Sequence, residues 1–199
     1  MPVRSNRHWP RHLVALLVVS AAATLLSSCA TKPMPASVSD TPVDLPRFMG
    51  TWHVIAHVPY FGERGHVAST DTYTLQPDGD IGVRYDYREG FDEPAKSLES
   101  RATVNDGTGN RRWTTWFFRV IPTKFQILET APDYSWALIN YPGRELAWVF
   151  AREPVMDDAQ YRDLERRMAG HGVDTDNLRR VPQVRDQLGR LGFADPKKP

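Results

Sequence analysis

Between residues 51 and 152 the chain alternates short runs rich in β-branched and aromatic residues with clusters of turn-forming residues. Runs of this kind, separated by regular turn signals, are typical of antiparallel sandwiches and barrels. Eight strands are predicted, near residues 51–58, 69–75, 81–88, 98–104, 112–119, 124–130, 134–140 and 145–151. Because eight strands joined by sequential hairpins can close on themselves and remove both sheet edges, we predict an all-β, eight-stranded up-and-down antiparallel barrel.

The segments between these runs have the chemistry of tight hairpin turns. Asp-Gly pairs occur within PDGD at 77–80 and NDGTGN at 105–110, and YPGRE at 141–145 supplies a third turn. Asp-Gly suits such turns because glycine adopts a positive φ without steric cost. The chain has no glycine-rich phosphate loop and no alternation of strands with helices, which argues against a doubly wound α/β fold.

A helical pattern follows the last predicted strand, in PVMDDAQYRDLERRMAGHG. Asp157 is placed to cap this helix, with Gln160 as the other half of a capping box. The apolar positions then fall on one face: Tyr161, Leu164 and Met168. Glycines at 170 and 172 supply the end. We therefore predict one C-terminal α-helix of about three turns, packed outside the barrel by its apolar stripe.

The first 28 residues have the pattern of a secretory signal. Three arginines precede an apolar segment from Leu13 to Leu26, and no acidic residue occurs before Asp40. The apolar run is short for a bilayer span, which needs about 20 residues. We interpret residues 1–28 as a signal peptide and not as part of the fold.

Cys29 is the only cysteine of the chain, which excludes an internal disulfide. The segment Leu26-Ser27-Ser28-Cys29 resembles the bacterial lipobox, in which signal peptidase cuts before the cysteine and the thiol carries a diacylglyceryl thioether. Several acyl chains, at about 0.8 kcal/mol per buried methylene, give stable membrane anchoring. Ala30 stands where an aspartate typically retains such lipoproteins at the inner membrane, so the resemblance implies an outer-membrane anchor, with the barrel facing the periplasm. A signal peptide cut elsewhere is the alternative.

Loss of the signal would leave 22 basic and 24 acidic residues, a formal charge of −2. No basic excess then remains for a nucleic-acid surface. Residues 29–44 are rich in Pro, Ser and Thr and are interpreted as a flexible tether. The folded domain is predicted over residues 45–183, long enough to bury its own core, and residues 184–199 are predicted to be a mobile tail.

Three segments carry a resemblance to a known family: Gly50-Thr51-Trp52, Asp133-Tyr134 and the strand that ends at Arg152. In this order and at these separations they resemble the three signature regions of the lipocalins. With the helix and the lipobox, residues 45–183 are most similar to the bacterial branch of outer-membrane lipoproteins related to apolipoprotein D. The sequence departs from the family pattern at His53, where a tyrosine is frequent, and at Pro132, where an acidic residue is frequent.

The resemblance implies a binding protein for a small hydrophobic ligand, such as a fatty acid or a lysophospholipid. It implies no cofactor, no metal, no catalytic residue and no nucleic-acid partner, and it leaves a homodimer open. Trp52 would fill the closed end of the barrel, and the Arg152 guanidinium would stack on the indole while donating hydrogen bonds to nearby carbonyls. Gly50, Asp133 and Tyr134 would likewise be structural.

The ligand cavity is expected at the opposite, open end. Side chains two apart in a strand share a face, so an inward Arg152 places Trp148 and Phe150 inward as well. In RRWTTWFFR either Trp113, Thr115 and Phe117 or Trp116 and Phe118 face inward, and we favour the first set. The candidate cavity residues are Tyr73, Tyr85, Tyr87, Trp113, Phe117, Trp136 and Trp148. A cavity lined by such rings suits an acyl chain.

Two other functions compete with ligand binding. An enzyme acting on a lipophilic substrate would need an inward Asp or Glu with a shifted pKa, and the sequence indicates none. A structural envelope lipoprotein would have a barrel filled by its own side chains. His53 and His57 are four residues apart, roughly 13 Å in a strand, and are predicted to face outward and not to share a metal.

Overall fold

The computed structural model describes residues 41–117 and 120–198, with only the backbone for residue 117. The alternating runs form eight consecutive strands, close to the predicted positions. Their bounds are β1 Gly50–Val58, β2 Val67–Leu75, β3 Ile81–Arg88, β4 Lys96–Val104, β5 Arg112–Phe117, β6 Ile121–Thr130, β7 Trp136–Asn140 and β8 Ala147–Ala151. The three predicted turns with Asp-Gly or Pro-Gly pairs are present, and their glycines Gly79, Gly107 and Gly143 have positive φ.

Each strand pairs antiparallel with the next, and β1 pairs with both β2 and β8. The last pairing runs from His53 opposite Ala151 to Val58 opposite Ala147 and closes the sheet. A short additional strand, β9 Arg179–Arg180, pairs with β1 at Ala56 and His57. The prediction of an eight-stranded up-and-down barrel is therefore confirmed.

A short helix, α1 Leu45–Phe48, closes one end of the barrel. Asp44 caps it by accepting a hydrogen bond from the Arg47 N–H. Phe48 is fully buried, and its ring centroid lies 5.1–5.5 Å from those of Trp52, Tyr73 and Trp113. These four rings fill the floor of the barrel.

The folded domain begins earlier than the predicted Leu45. Val43 is buried in the barrel core, and its N–H donates to the Gly109 carbonyl at 2.9 Å. The end of the predicted tether is therefore part of the barrel, because an apolar side chain at residue 43 reaches the gap between α1 and the β4–β5 turn.

The predicted C-terminal helix is present as α2 Asp158–Gly170. Asp157 caps it by accepting hydrogen bonds from the N–H groups of residues 159 and 160. The predicted stripe of Tyr161, Leu164 and Met168 is buried against the outer face of the barrel. This forms a second apolar layer, which contains Leu138 and Val149 from the outward positions of β7 and β8.

The segment after Pro182, predicted to be a mobile tail, packs back on the barrel in this structure. Ala194 donates to the Arg180 carbonyl, and the N–H groups of Lys197 and Lys198 donate to the carbonyls of Gly65 and Glu89, each at 2.8 Å. The Arg180 guanidinium also lies 4.3 Å from the Phe193 ring centroid. The difference arises because these few anchoring residues are not periodic and leave no pattern in the sequence.

Residues Met34–Pro199 form one compact unit, which holds the closed barrel, its core and the packed helix. A segment of this size with its own core has the features of an independently folding domain. Among the described residues, none of the helices has the length and apolarity that a membrane span requires.

Candidate functional site

Arg152 closes the floor of the barrel over Trp52. The guanidinium carbon lies 3.6 Å from the Trp52 ring centroid. The two terminal nitrogens donate to the carbonyls of Thr51, Met49, Arg47 and Phe48 at 2.8–3.2 Å. A stacked cation whose two terminal nitrogens both bind backbone carbonyls has a structural role, and ligand access is left to the opposite end.

The other signature residues support the same end. Gly50 has φ +92°, and a Cβ there would lie 3.4 Å from an Arg152 nitrogen. Tyr134, at φ +60°, accepts a hydrogen bond from the Asp44 N–H and lies under the Arg47 guanidinium. Asp133 accepts a hydrogen bond from the Ser135 N–H, and the hydrogen bonds of the Ser135 side chain and N–H lower the pKa of its carboxyl group. None of these groups faces the interior cavity.

A β-bulge between Val54 and Ala56 adds one residue to β1, so the residues after it point to the opposite face from the one that strict alternation predicts. Trp52 and Val54 face inward before the bulge, and His57, opposite Trp148, faces inward after it. His57 is 1% exposed. The prediction that His57 points outward is therefore wrong, because strict alternation does not continue across a bulge. His53 does lie outside, with its Nδ1 3.3 Å from Gln183 Oε1.

Glu63 folds over the upper barrel from the loop between β1 and β2. It ends a 3₁₀ turn, Phe61–Glu63, and is buried. The Trp148 Nε1–H donates to Glu63 Oε2 at 3.2 Å, and His57 Nδ1 lies 3.5 Å from the same oxygen. The indole fixes the position of this carboxylate inside the mouth of the barrel.

Asp71 is a second acid of the interior. It lies in β2 opposite Trp52 on one side and Tyr85 on the other, so its side chain shares their inward face. Burial raises the pKa of Asp71 well above its usual range, and the carboxyl groups of Glu63 and Asp86 raise it further. No side chain within residues 41–117 or 120–198 forms an ion pair or a hydrogen bond with this carboxyl group.

A stack of three rings forms the wall beside these acids. Tyr85 and Tyr87 lie 5.2 Å apart, and the His66 imidazole covers Tyr87 at 3.8 Å. His66 Nδ1 and the Tyr85 hydroxyl share a hydrogen bond of 2.9 Å. Burial raises the pKa of Tyr85, and the charges of Glu63 and Asp71 raise it further. The rings are thus held in place by stacking and by one polar contact.

His66 is expected to make the protein less stable in acid. Burial, followed by the charge of Lys197, lowers the pKa of this imidazole to about 4, while Glu89 opposes the shift. Between about pH 6.5 and about pH 4 the unfolded chain then binds more protons than the folded chain, so stability falls as pH falls. We expect His66→Phe, which keeps the stacked ring, to flatten this slope in denaturant titrations of both proteins. If the stabilities of the unmodified protein and of His66→Phe changed with pH in parallel, His66 would not be the source of the acid sensitivity.

The structure separates the seven cavity candidates into groups. Tyr85, Tyr87 and Trp148 line the upper interior, whereas Tyr73 and Trp113 face inward but are packed into the floor. The side chain of Phe117 and the whole of Cys29 lie outside the described residues. Within the RRWTTWFFR segment, Trp113 and Thr115 are inward and buried, and Trp116 is outward, opposite Arg101.

Trp136 was a cavity candidate, and the structure corrects this. Its neighbour Ala137 lies opposite Phe150 and belongs to the interior core, so Trp136 lies on the outer face. There it packs in the layer beneath α2, with the Arg167 guanidinium 5.6 Å from its ring centroid. An aromatic residue on a barrel strand covers either the cavity or the outer helix, and composition does not distinguish the two.

Neither interior acid, Glu63 or Asp71, was among the residues predicted from the sequence pattern. For Asp71 a signal exists, because it lies two residues before Tyr73 and therefore shares its inward face. For Glu63 the sequence contains no such signal, because the residue lies in a loop where strand alternation does not apply. Within the described part of the chain, no group of three or more His, Cys, Asp or Glu side chains is placed to hold a metal ion.

A groove of about 760 Å³ lies at the rim of the open end, beside Tyr60. Its charged lining consists of Arg64, Arg144, Arg179 and Glu145. Three guanidinium groups against one carboxylate favour an anionic group at this rim. The rim and the interior therefore have opposite electrostatic character.

Comparisons with known proteins agree with this architecture. A family model described as a lipocalin-like domain matches residues 43–183. Temperature-induced lipocalin-1 of Arabidopsis thaliana is 30% identical over 154 residues, covering 71% of this chain and 80% of the relative. The outer membrane lipoprotein Blc of Escherichia coli K12 is 25% identical over 176 residues, covering 86% of this chain and 97% of the relative.

Solved structures show the same fold at lower identity. Lobster apocrustacyanin A1 superposes with a TM-score of 0.57 at 15% identity, covering 80% of this chain and 95% of that one. Insecticyanin from the tobacco hornworm superposes with a TM-score of 0.57 at 16% identity, covering 77% of this chain and 88% of that one. Together with the family match over more than half of its length, these findings show that the chain belongs to the lipocalin family, whose members bind small hydrophobic ligands.

Proposed function

We propose that this chain is a membrane-anchored lipid-binding protein that carries or stores fatty acids, lysophospholipids or similar small hydrophobic ligands in the cell envelope. The observation that supports this most directly is Leu98. It lies opposite Tyr85 in β4 and so faces the interior, yet it is 39% exposed. An inward leucine in contact with solvent indicates an upper barrel that its own side chains do not fill.

This observation argues against a purely structural lipoprotein. The floor is filled by Phe48, Trp52, Tyr73 and Trp113, but Tyr85, Tyr87 and Trp148 above it are only partly buried. A barrel closed below and accessible above is suited to one small ligand. Affinity would come mainly from burial of apolar area, at about 25 cal/mol per Å², less the cost of immobilising the ligand.

The envelope assignment rests on the N-terminal segment and on relatives. The lipobox resemblance at Cys29 supports a lipid anchor, and Ala30 after it supports the outer membrane. The Blc proteins, similar to this chain over most of its length, are named outer membrane lipoproteins. We propose the same location, with the barrel facing the periplasm. Mass spectrometry of the N-terminal peptide from membranes tests this, because an unmodified thiol on Cys29 would contradict the anchor.

Native mass spectrometry of the unit beginning at Met34, followed by organic extraction, tests the binding function. A lipid bound at about one per chain is expected, as one barrel offers one cavity. A barrel that copurifies empty and rejects added fatty acids and lysophospholipids would contradict the proposal and favour the structural alternative.

Trp148→Glu is expected to weaken ligand binding at least about tenfold. The new carboxylate would replace an apolar ring of the cavity wall beside Glu63, and an unpaired buried charge is costly. Isothermal titration with tetradecanol, an uncharged chain, measures the effect. Trp116→Glu is the matched control, because Trp116 faces outward and is expected to leave affinity unchanged. If the unmodified protein, Trp148→Glu and Trp116→Glu bound the ligand with equal affinity, Trp148 would be excluded from the binding site.

An enzyme acting on a lipophilic substrate is the second candidate, favoured by one observation. Asp71 is an inward carboxyl group with a raised pKa, the feature this alternative requires. We favour a role in recognition, because the aromatic rings of Tyr85 and Tyr87 lie beside Asp71 and no group of three or more His, Cys, Asp or Glu in the described residues is placed to hold a metal ion. Mass spectrometry of the bound lipid after prolonged incubation separates the two, since a change in its mass would indicate turnover.

A further inference from the structure

We propose that the upper barrel binds the ammonium group of a cationic or zwitterionic amphiphile. The inference rests on the proposed function, because it takes the barrel to hold an amphiphile, and it names the chemical class of the group at the inner end. The site consists of two carboxyl groups and four aromatic rings: Glu63, Asp71, Tyr60, Tyr85, Tyr87 and Trp148.

The two acids are poorly compensated. Glu63 has one basic neighbour in the described chain, the His57 imidazole at 3.5 Å, and Asp71 has none within ion-pairing distance. His57 is itself 1% exposed and its Nδ1 makes no hydrogen bond. The other imidazole nearby, His66, has its pKa lowered to about 4 by burial and so supplies no cation near neutral pH. The two inward carboxyl groups therefore leave a site that a ligand cation would complete.

The acids and rings form one cluster. Asp71 and Tyr85 are directly opposite in β2 and β3, and Glu63 holds Trp148 by a hydrogen bond. Tyr60 joins them from the loop after β1, because it directly precedes the 3₁₀ turn and its carbonyl accepts a hydrogen bond from the Glu63 N–H at 3.0 Å. Burial, followed by the charges of neighbours that include Glu63 and Asp71, raises the pKa of its hydroxyl to about 12. Aromatic faces gathered around acids recognise quaternary ammonium groups through cation–π attraction.

A free carboxylate is the wrong group for this interior. It would meet Glu63 and Asp71 as like charges, whereas Arg64, Arg144 and Arg179 at the rim offer it cationic partners. The amphiphile tail has an apolar path beside the rings, where Leu98 on the neighbouring strand β4 and Ile121 on β6 are both exposed. The site therefore places an ammonium group inside and permits an anionic group at the rim.

Binding of the cation should strengthen as pH rises. The groups that face Asp71 are Glu63, Tyr73 and Tyr85, with Asp86 within electrostatic reach on β3 and His57 and His66 nearby. Because burial raises the pKa of Asp71, this carboxyl group ionises at a higher pH than an exposed aspartate, and a cation binds the ionised form better. Affinity for an ammonium ligand should therefore rise as the pH passes upward through the raised pKa of Asp71, while affinity for an uncharged alcohol should not.

Three probes with the same chain test the proposal on the unit beginning at Met34: dodecyltrimethylammonium, dodecanol and dodecanoate. Isothermal titration below micellar concentrations is expected to show the ammonium probe binding at least about tenfold more tightly than the alcohol, and the carboxylate least tightly. The double variant Glu63→Gln, Asp71→Asn should reduce the ratio of ammonium to alcohol affinity by about tenfold or more. Glu99→Gln, an exposed and outward carboxyl group, is the matched control and should leave that ratio unchanged.

Each outcome has a distinct meaning. Equal binding of ammonium and alcohol, or preference for the carboxylate, would overturn the ammonium site while leaving the lipid-binding function intact. Failure of all three probes to bind would overturn the proposed function itself. A preference that survives the double variant would show that the two acids do not create it, and this also overturns the proposal.

Discussion

Phe48→Ala is expected to lower the free energy of unfolding by about 3–5 kcal/mol, the usual cost of removing a fully buried phenylalanine ring. Phe48 has no exposed surface and contacts Trp52, Tyr73 and Trp113 in the floor of the barrel. These rings extend from separate strands and α1, so the cavity left behind cannot collapse easily. Urea titration followed by tryptophan fluorescence measures the loss.

Phe61→Ala is the matched control for this experiment. Phe61 is 89% exposed in the turn between β1 and β2, so the same substitution there should change stability by no more than about 0.5 kcal/mol. Similar losses for the two variants would show that the floor rings do not provide the main packing of the closed end.

Arg152→Ala is expected to cost about 2–4 kcal/mol. The substitution removes a cation stacked on Trp52 and leaves four carbonyls of the N-terminal segment without their charged donor. Arg152→Lys should recover less than half of the loss, because an ammonium cannot stack flat and reach those carbonyls together. Thermal and urea unfolding of both variants give the values.

Arg144→Ala provides the comparison for Arg152. Its guanidinium lies 5.5 Å from the Tyr141 ring centroid and the residue is exposed, so a change within about 0.5 kcal/mol is expected. If Arg152→Lys were as stable as the unmodified protein, the positive charge alone would explain the stabilisation of the closed end, and stacking on Trp52 would contribute nothing measurable.

The strands and their faces could be predicted from the sequence because each hairpin obeys a period of two and each turn has its own chemistry. This reasoning placed Trp52, Trp113 and Trp148 on the inward face, where the structure has them. It failed at His57, because a bulge is a single unpaired residue in β1 with no glycine or proline to mark it. One such residue reverses the face of everything after it.

The interior acids show a different limit. Asp71 could have been placed by counting from Tyr73, whereas Glu63 reaches the cavity only because a 3₁₀ turn folds back under Trp148. Trp136 was assigned to the cavity although it packs against the helix on the outer face. Aromatic residues occur on both faces of a barrel strand, so their presence alone does not show which face they occupy. Periodicity gives the face of a strand residue, but loop geometry and helix docking require tertiary contacts.

The filled floor has a consequence for how a ligand is exchanged. With Phe48, Trp52, Tyr73 and Trp113 packed across the closed end, the barrel resembles a cup and not a tube. A ligand must leave through the opening by which it entered, so the last part to enter is the first to depart. The proposed carrier function would then require the same opening to face the donor surface and later the acceptor surface, so that reorientation of the whole domain would be a step in transfer.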